Sequence, residues 1–293
     1  MKLRTFFSKI LLQEDLNFLL TNRIPRRTLT IFMGWFSKVE NPLIRYLSIT
    51  TWRIFSAVDL SDASKTQFIS LHDAFIRSLK PGSRPITPGR NVLVSPCDGI
   101  VGAHGAIENT QVFQAKGFPY SLRDLLPNES LAKEFATGSY VTIRITAGMY
   151  HRFHAPIDCN ISKVTYISGD TWNVNPIALK RIEKLFCKNE RAVIESTFVG
   201  PSSKIPHRFL MIPVAAVLVA SIRLHFINVL LNLRYKGANI IECNTNYSKG
   251  DELGWFEHGS TIILLAPSGF RFADQIAEGT PIRMGQPLMI IND

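Results

Sequence analysis

The spacing of apolar residues changes near residue 90. Before it, short apolar groups alternate with polar ones at helical period, and Pro25 and Pro42 divide residues 1 to about 60 into short amphipathic helices. Phe68, Leu71, Phe75, Ile76 and Leu79 fall on one helical face, which predicts a further helix ending at Pro81-Gly82. Pro81, Pro85 and Pro88 then mark a linker. From Val92 onward the period shortens to that of strands, with β-type runs at Val92–Val94, Ile100–Val101, Tyr140–Ile145, Ile161–Ile167, Ala192–Phe198, Leu210–Ile222, Ile240–Glu242 and Thr261–Ala266. Short helices are expected at Ser121–Leu126, Ser130–Phe135 and Ile177–Leu185. The fold class is therefore α+β, a β-rich core with amphipathic helices added at the N-terminus.

The longest apolar run, Phe209 to Ile222, is broken by Pro213 and bounded by Arg208 and Arg223. It is too short to span a bilayer, which takes about 20 residues, and reads as one or two buried strands. The first apolar patch is interrupted by Gln13-Glu14-Asp15, which is not a signal-peptide pattern. The turn-and-strand rhythm from Glu278 to Ile291, like Asp98-Gly99-Ile100-Val101, is similar to lipoyl-type barrel-sandwich domains, although no lysine sits where such a domain would carry its modification. The expected division is residues 1–60 as amphipathic helices and 61–293 as the β-rich domain.

Composition adds to this picture. Hydrophobic residues make up 46% of the chain and charged residues 19%, enough to build a sizeable core. Cys97, Cys159, Cys187 and Cys243 form no Cys-x-x-Cys pair and read as buried reduced thiols of a cytosolic protein. The net charge of +10 is concentrated: residues 1–53 hold nine Lys or Arg against three acids. Interleaved with Phe6, Phe7, Ile10, Leu11, Leu12, Phe18 and the Leu29–Phe36 block, these cations suit helices lying in an anionic membrane surface. A basic helical pair packed on the domain, or one that binds nucleic acid, is the alternative.

The candidate chemistry begins at Gly259-Ser260-Thr261, directly before Ile262-Ile263-Leu264-Leu265. A serine after an unbranched glycine can turn its hydroxyl onto the preceding carbonyl carbon, which permits an N→O acyl shift. Asp98 before Gly99 is by itself a strong turn signal. His151 and His154 have a spacing open to metal, but no third ligand is evident and Pro156 limits any helix carrying them. Arg152 is suited to a carboxylate or phosphate, or to an ion pair with Glu190. Asn189-Glu190-Arg191 reads as a brace. His72, His104, His207 and His225 read as structural or surface residues.

Several blocks together resemble the phosphatidylserine decarboxylases. Ser95-Pro96-Cys97-Asp98-Gly99 is similar to a Pro-x-Asp-Gly signature, and Tyr150-His151-Arg152-Phe153-His154-Ala155-Pro156 to a Tyr-His-Arg-x-His-x-Pro signature. Asn189-Glu190-Arg191, Leu79-Lys80-Pro81-Gly82-Ser83-Arg84-Pro85, Gln114-Ala115-Lys116-Gly117 and Met284-Gly285-Gln286-Pro287-Leu288 occur in the family's order. One position departs: where the family has Leu-Gly-Ser-Thr, His258 precedes Gly259-Ser260-Thr261.

The resemblance implies self-cleavage between Gly259 and Ser260, giving chains 1–259 and 260–293 and converting Ser260 into a covalent pyruvoyl group. It assigns the base to His154, oriented by Asp98, and leaves His151 as the proton donor of turnover. The pyruvoyl ketone would form a Schiff base with phosphatidylserine, drain electrons as carbon dioxide leaves, and yield phosphatidylethanolamine. No metal is expected. The implied partners are phosphatidylserine, an anionic membrane surface on its cytoplasmic side, and the two cleavage chains paired with each other, with further self-association open and nucleic acid not expected. Two other readings compete: a serine hydrolase using Asp98, His154 and Ser260 on an external ester, which lacks a Gly-x-Ser-x-Gly elbow, and an unprocessed membrane-bound lipid-binding protein, favoured by His258 alone.

Overall fold

The computed structural model describes residues 13–56, 58–115, 118–201, 205–218, 221–257 and 260–292. Phe6 to Leu12, Lys116-Gly117, His258 and Gly259, all used above, lie outside the described residues.

Three helices open the described chain, α1 (Glu14–Asn22), α2 (Arg26–Phe36) and α3 (Pro42–Ser56), separated as the prolines predict. The fourth, α4 (Leu71–Phe75), is shorter than its apolar spacing suggested. Ser70 caps it by accepting a bond from the Asp73 amide, but buried Arg77 is drawn to the carbonyls of Ala74 and Gly148. The chain then extends so that Leu79 bridges Ala63, which ends the helix well before Pro81. Beyond the linker come α5 (Leu122–Leu125) and α6 (Glu129–Glu134), capped by Ser121 and Asn128. The helix expected over Ile177–Leu185 is two, α7 (Pro176–Leu179) and α8 (Leu185–Lys188). Gln114 divides them: its amide donates to the Leu179 and Ile182 carbonyls and accepts from the Leu185 amide, taking groups a continuous helix would use.

The strands in chain order are β1 (Val92–Val94), β2 (Gly99–Ala106), β3 (Gln111–Ala115), β4 (Phe118–Ser121), β5 (Ser139–Ile145) and β6 (Arg152–His154). They continue with β7 (Cys159–Ile167), β8 (Arg191–Val199), β9 (Pro206–Ala215), β10 (Ser221–Leu224), β11 (Val229–Asn232) and β12 (Ile240–Tyr247). The last are β13 (Glu252–Phe256), β14 (Ser260–Ala266), β15 (Phe270–Phe272), β16 (Pro281–Ile282) and β17 (Pro287–Ile291). The apolar run from Phe209 thus makes two strands, β9 and β10. An eight-stranded sheet runs β12-β7-β8-β9-β14-β5-β2-β16, and smaller sheets run β11-β10-β13-β6 and β1-β17-β15. The sheets are open and do not close into a barrel.

Strand β14 lies inside the large sheet, between β9 and β5, with both faces covered. Ile262 and Leu264 point into a core shared with Phe153 and Phe256, whereas Ile263 and Leu265 point into a second core with Leu125, Phe135 and Phe186. This explains an uninterrupted Ile-Ile-Leu-Leu run where a half-exposed strand would alternate. Each such side chain contributes roughly 1.5–3 kcal/mol by burial. The cysteines are all free; Cys97 and Cys159 are buried as expected, whereas Cys187 and Cys243 are partly exposed.

The N-terminal helices are fastened to this core by polar contacts. Arg26 pairs with Asp170 at 2.6 Å and lies over the Trp172 ring, and the Trp52 indole donates to the Ala147 carbonyl.

Candidate active site

Ser260 begins β14, opposite Ile145 at the end of β5 and Ala215 at the end of β9. The Ala215 amide donates to the Glu190 carbonyl at the start of β8, and on the other side Ile100, next to Gly99, pairs with Arg144. One end of the sheet thus carries Glu190, Ala215, Ser260, Ile145 and Gly99 in a row, neighbouring strands about 4.8 Å apart. Ser260 is fully buried, and its hydroxyl has no hydrogen-bond partner among the described residues.

Asp98 adjoins Gly99 in this row, and His154 lies on the neighbouring segment. The His154 amide donates to the Pro96 carbonyl, so the two signature segments run side by side. The C-terminal block closes over them: the Met284 amide donates to Asp98 Oδ1 at 2.9 Å, and Ser95 exchanges backbone bonds with Gly285 and Gln286. Gly285 has φ of +87°, and a Cβ there would stand 2.5 Å from the Pro85 carbonyl, so this turn needs glycine.

The hydrogen bonds around His154 correct one expectation. Its Nδ1 lies 2.8 Å from the Gly250 carbonyl, which only accepts, so Nδ1 carries the proton and Nε2 is the basic nitrogen. Nε2 accepts from the Tyr150 hydroxyl at 3.0 Å. The tautomer is therefore fixed by a backbone carbonyl and not by Asp98. Both Asp98 oxygens accept from Arg84, whose Nε is 2.9 Å from Oδ1 and whose Nη2 is 2.6 Å from Oδ2. Arg84 also reaches Asp62 at 3.0 Å. Asp98 stays near enough to favour a charged imidazole, but burial is the larger influence and holds the His154 pKa below its ordinary 6.5.

His151 is fully buried. Its Nδ1 donates to the Met149 carbonyl at 2.8 Å, its ring lies 3.9 Å from that of Phe75, and its own carbonyl accepts from Phe256, four residues before Ser260. Arg152 pairs with Glu252 at 2.8 Å and donates to the Ile76 carbonyl. The pair with Glu190 therefore does not form.

Asn189-Glu190-Arg191 braces the row, as expected. Asn189 donates to the Trp172 and Ala215 carbonyls, and Arg191 to those of Asp124, Leu125, Cys187 and Asn189. Glu190 is fully buried and accepts from Tyr166 at 2.6 Å, and burial pushes its pKa up to about 7. A carboxyl raised in the folded state binds more protons than in the unfolded chain between its ordinary 4.5 and about 7. Its stabilising contribution is then present at low pH and lost as pH rises through 7. Glu190→Gln is expected to raise the Tm at pH 8 by several degrees and to change it little at pH 5, as calorimetry at the two values would read.

A cavity of about 760 Å³ opens between α2, α3, α4 and this end of the sheet. Met33, Phe36, Trp52 and Phe75 line one side, and Arg144, Ile145 and Ala216 the other. Among the described residues of that lining Arg144 alone is charged. The site residues missed from sequence are Arg84, Arg144, Tyr150 and Gly250. Arg84 and Tyr150 stand inside blocks already singled out, but nothing in their spacing shows the Asp98 and His154 contacts they make.

Residues 71–290 match the sequence model of the family described as phosphatidylserine decarboxylase. The chain belongs to the phosphatidylserine decarboxylase family. It is 33% identical over 289 residues to the phosphatidylserine decarboxylase proenzyme of Saccharophagus degradans, covering 94% of this chain and 97% of that one. It is 34% identical over 279 residues to the Vibrio cholerae proenzyme, covering 90% and 94%, and 32% identical over 277 residues to that of Brevibacillus brevis, covering 92% and 95%. The chain is thus an enzyme of this decarboxylase family, matched over nearly its whole length.

Proposed function

We propose that the enzyme converts phosphatidylserine to phosphatidylethanolamine, using a pyruvoyl group made from Ser260 by cleavage of the Gly259–Ser260 bond. The buried Ser260 hydroxyl, which has no hydrogen-bond partner among the described residues, carries this reading. Such a group costs about 1–3 kcal/mol of stability, and a hydroxyl reserved for attack on its own chain explains why it is there. The buried end of β14 also suits a small ketone shielded from bulk water.

In self-cleavage, Ser260 Oγ attacks the Gly259 carbonyl carbon and the peptide nitrogen leaves, so an ester replaces the amide. His154 Nε2 is the base for the hydroxyl proton; Tyr150 occupies it at rest and yields it to Ser260. Asp98, fixed by Arg84 and the Met284 amide, favours the resulting imidazolium through space. Loss of the Ser260 α-proton expels the Gly259 carboxylate, and addition of water with release of ammonia leaves the ketone. Residues 260–293 stay attached because β14 remains paired on both sides and β17 remains paired with β1.

The pyruvoyl group supplies an electron sink for the carboxylate's departure. The chain's own residues do the rest. Arg144 offers a cation to the phosphate of the headgroup, the apolar lining of the cavity accepts the start of the acyl chains, and His151 delivers the proton that replaces carbon dioxide on the substrate carbon. Denaturing electrophoresis with intact-mass measurement tests the scheme: two chains divided at 259/260 are expected, the smaller beginning with a pyruvoyl group. A single unbroken chain in active enzyme overturns it.

The N-terminal helices present Leu19, Leu20, Phe32, Trp35, Leu43 and Leu47 to solvent, each about half exposed or more. No helix among the described residues is long and apolar enough to cross a membrane. This face, beside the cavity and among basic residues, supports peripheral attachment to an anionic bilayer. Phe32→Ser together with Trp35→Ser is expected to weaken cosedimentation with anionic vesicles at least about tenfold while leaving the Tm unchanged, since each exposed aromatic would contribute more than 1 kcal/mol by burial in lipid. Unaltered cosedimentation would refute the attachment.

A further inference from the structure

Glu257 lies three residues before Ser260 and is buried, only 6% exposed. Its carboxylate is gripped from two separate elements of the N-terminal arm. Lys38 Nζ, just past α2, is 3.1 Å from Oε1 and 3.4 Å from Oε2, and His72 Nε2 in α4 is 3.7 Å from Oε1. The His72 amide donates to the Ser37 carbonyl at 2.8 Å, which holds the two basic groups side by side. The main chain is tied as well: the Glu257 amide donates to the Ser221 carbonyl, and the Phe256 amide to that of His151. On the far side Ser260 is paired with both of its neighbouring strands. The described chain is thus fixed on both sides of the expected scissile bond, at Glu257 and at Ser260.

A buried ion pair is a poor device for stability, because desolvation offsets much of its attraction. Its value is geometric. We propose that Glu257 is the positioning residue for self-cleavage, its grip by Lys38 and His72 aiming the Gly259 carbonyl at the Ser260 hydroxyl. This rests on the serinolysis reading above. It adds an order of events: Lys38 must be in place, so α2 docks on the catalytic domain before the chain cuts itself. Burial holds His72 below its ordinary pKa, so Lys38 provides the positive charge near neutrality. An error of about an ångström at a reacting carbonyl can cost on the order of a hundredfold in rate.

The test is a time course of chain cutting during cell-free synthesis, followed by decarboxylation assayed per mole of cut chain. Glu257→Gln and Lys38→Met are expected to cut roughly ten- to a hundredfold more slowly. Lys38→Arg, which keeps the charge, should cut at close to the unmodified rate. Decarboxylation per cut chain should stay within about twofold for Lys38→Met, because Lys38 acts before turnover. The Tm of Glu257→Gln, measured in a Ser260→Ala background that stays uncut, should be unchanged, because that change leaves no charge buried. Lys38→Met strands the buried carboxylate and should lower the Tm. Cutting of Glu257→Gln and Lys38→Met at the unmodified rate overturns the positioning role and leaves serinolysis intact. Slow cutting of Glu257→Gln that tracks a fall in its Tm overturns it too, because the grip would then be merely structural. An unmodified chain that never cuts sinks the serinolysis reading and the inference with it.

Discussion

Replacement of Ser260 by alanine is expected to leave one uncut chain of 33.0 kDa with no measurable decarboxylation of phosphatidylserine. The side-chain oxygen is the only part removed. It is fully buried with no hydrogen-bond partner among the described residues, so its loss breaks no described contact. The fold should therefore be kept and even slightly stabilised, since an unsatisfied buried hydroxyl carries a penalty of about 1–3 kcal/mol. Rising or constant Tm with complete loss of cutting separates a chemical role from a structural one. Ser260→Cys and Ser260→Thr retain a nucleophile and should cut slowly, threonine hampered by its added methyl between Ile145 and Ala215. Decarboxylation by Ser260→Ala protein would end the account of the cofactor.

Ser260 stood out in the sequence because the signal is local: the glycine before it and the apolar strand after it adjoin it in the chain. Strand β14 was legible for a similar reason, since burial on both faces writes itself as an unbroken apolar run. The helices that failed did so through distant side chains. Arg77 ends α4 by bonding Gly148, and Gln114 splits α7 from α8 across about seventy residues of chain, contacts that periodicity does not encode. The histidine pair shows the same division. His151 and His154 stood out by pattern, but the partners that set their tautomers are the carbonyls of Met149 and Gly250, and a carbonyl carries no residue-type signature. Asp98 stood out by its signature, but its contact with Arg84 was not legible, because it requires the linker to fold back over the start of β2.

That contact carries the second large expected effect. Arg84 and Asp98 side chains are only 10% and 11% exposed, and the guanidinium meets the carboxylate through Nε and Nη2 together. Arg84→Ala would leave a buried carboxylate with the Met284 amide as its remaining described donor. Removing one partner of a buried pair costs about 3–5 kcal/mol. For a chain of this size that corresponds to a Tm lower by roughly 10 °C. Self-cleavage should slow by about a hundredfold as well, since Asp98 loses its place beside His154. Arg84→Lys should fall between, because an ammonium offers no planar fork to two oxygens. Combining Arg84→Met with Asp98→Asn removes the stranded charge and should recover most of the Tm without recovering cutting. That divergence distinguishes the two contributions: stability depends on whether the charge has a partner, whereas cutting depends on the carboxylate itself, standing near the imidazole that must become charged. Arg84→Ala protein with unmodified Tm and cutting rate would refute both halves.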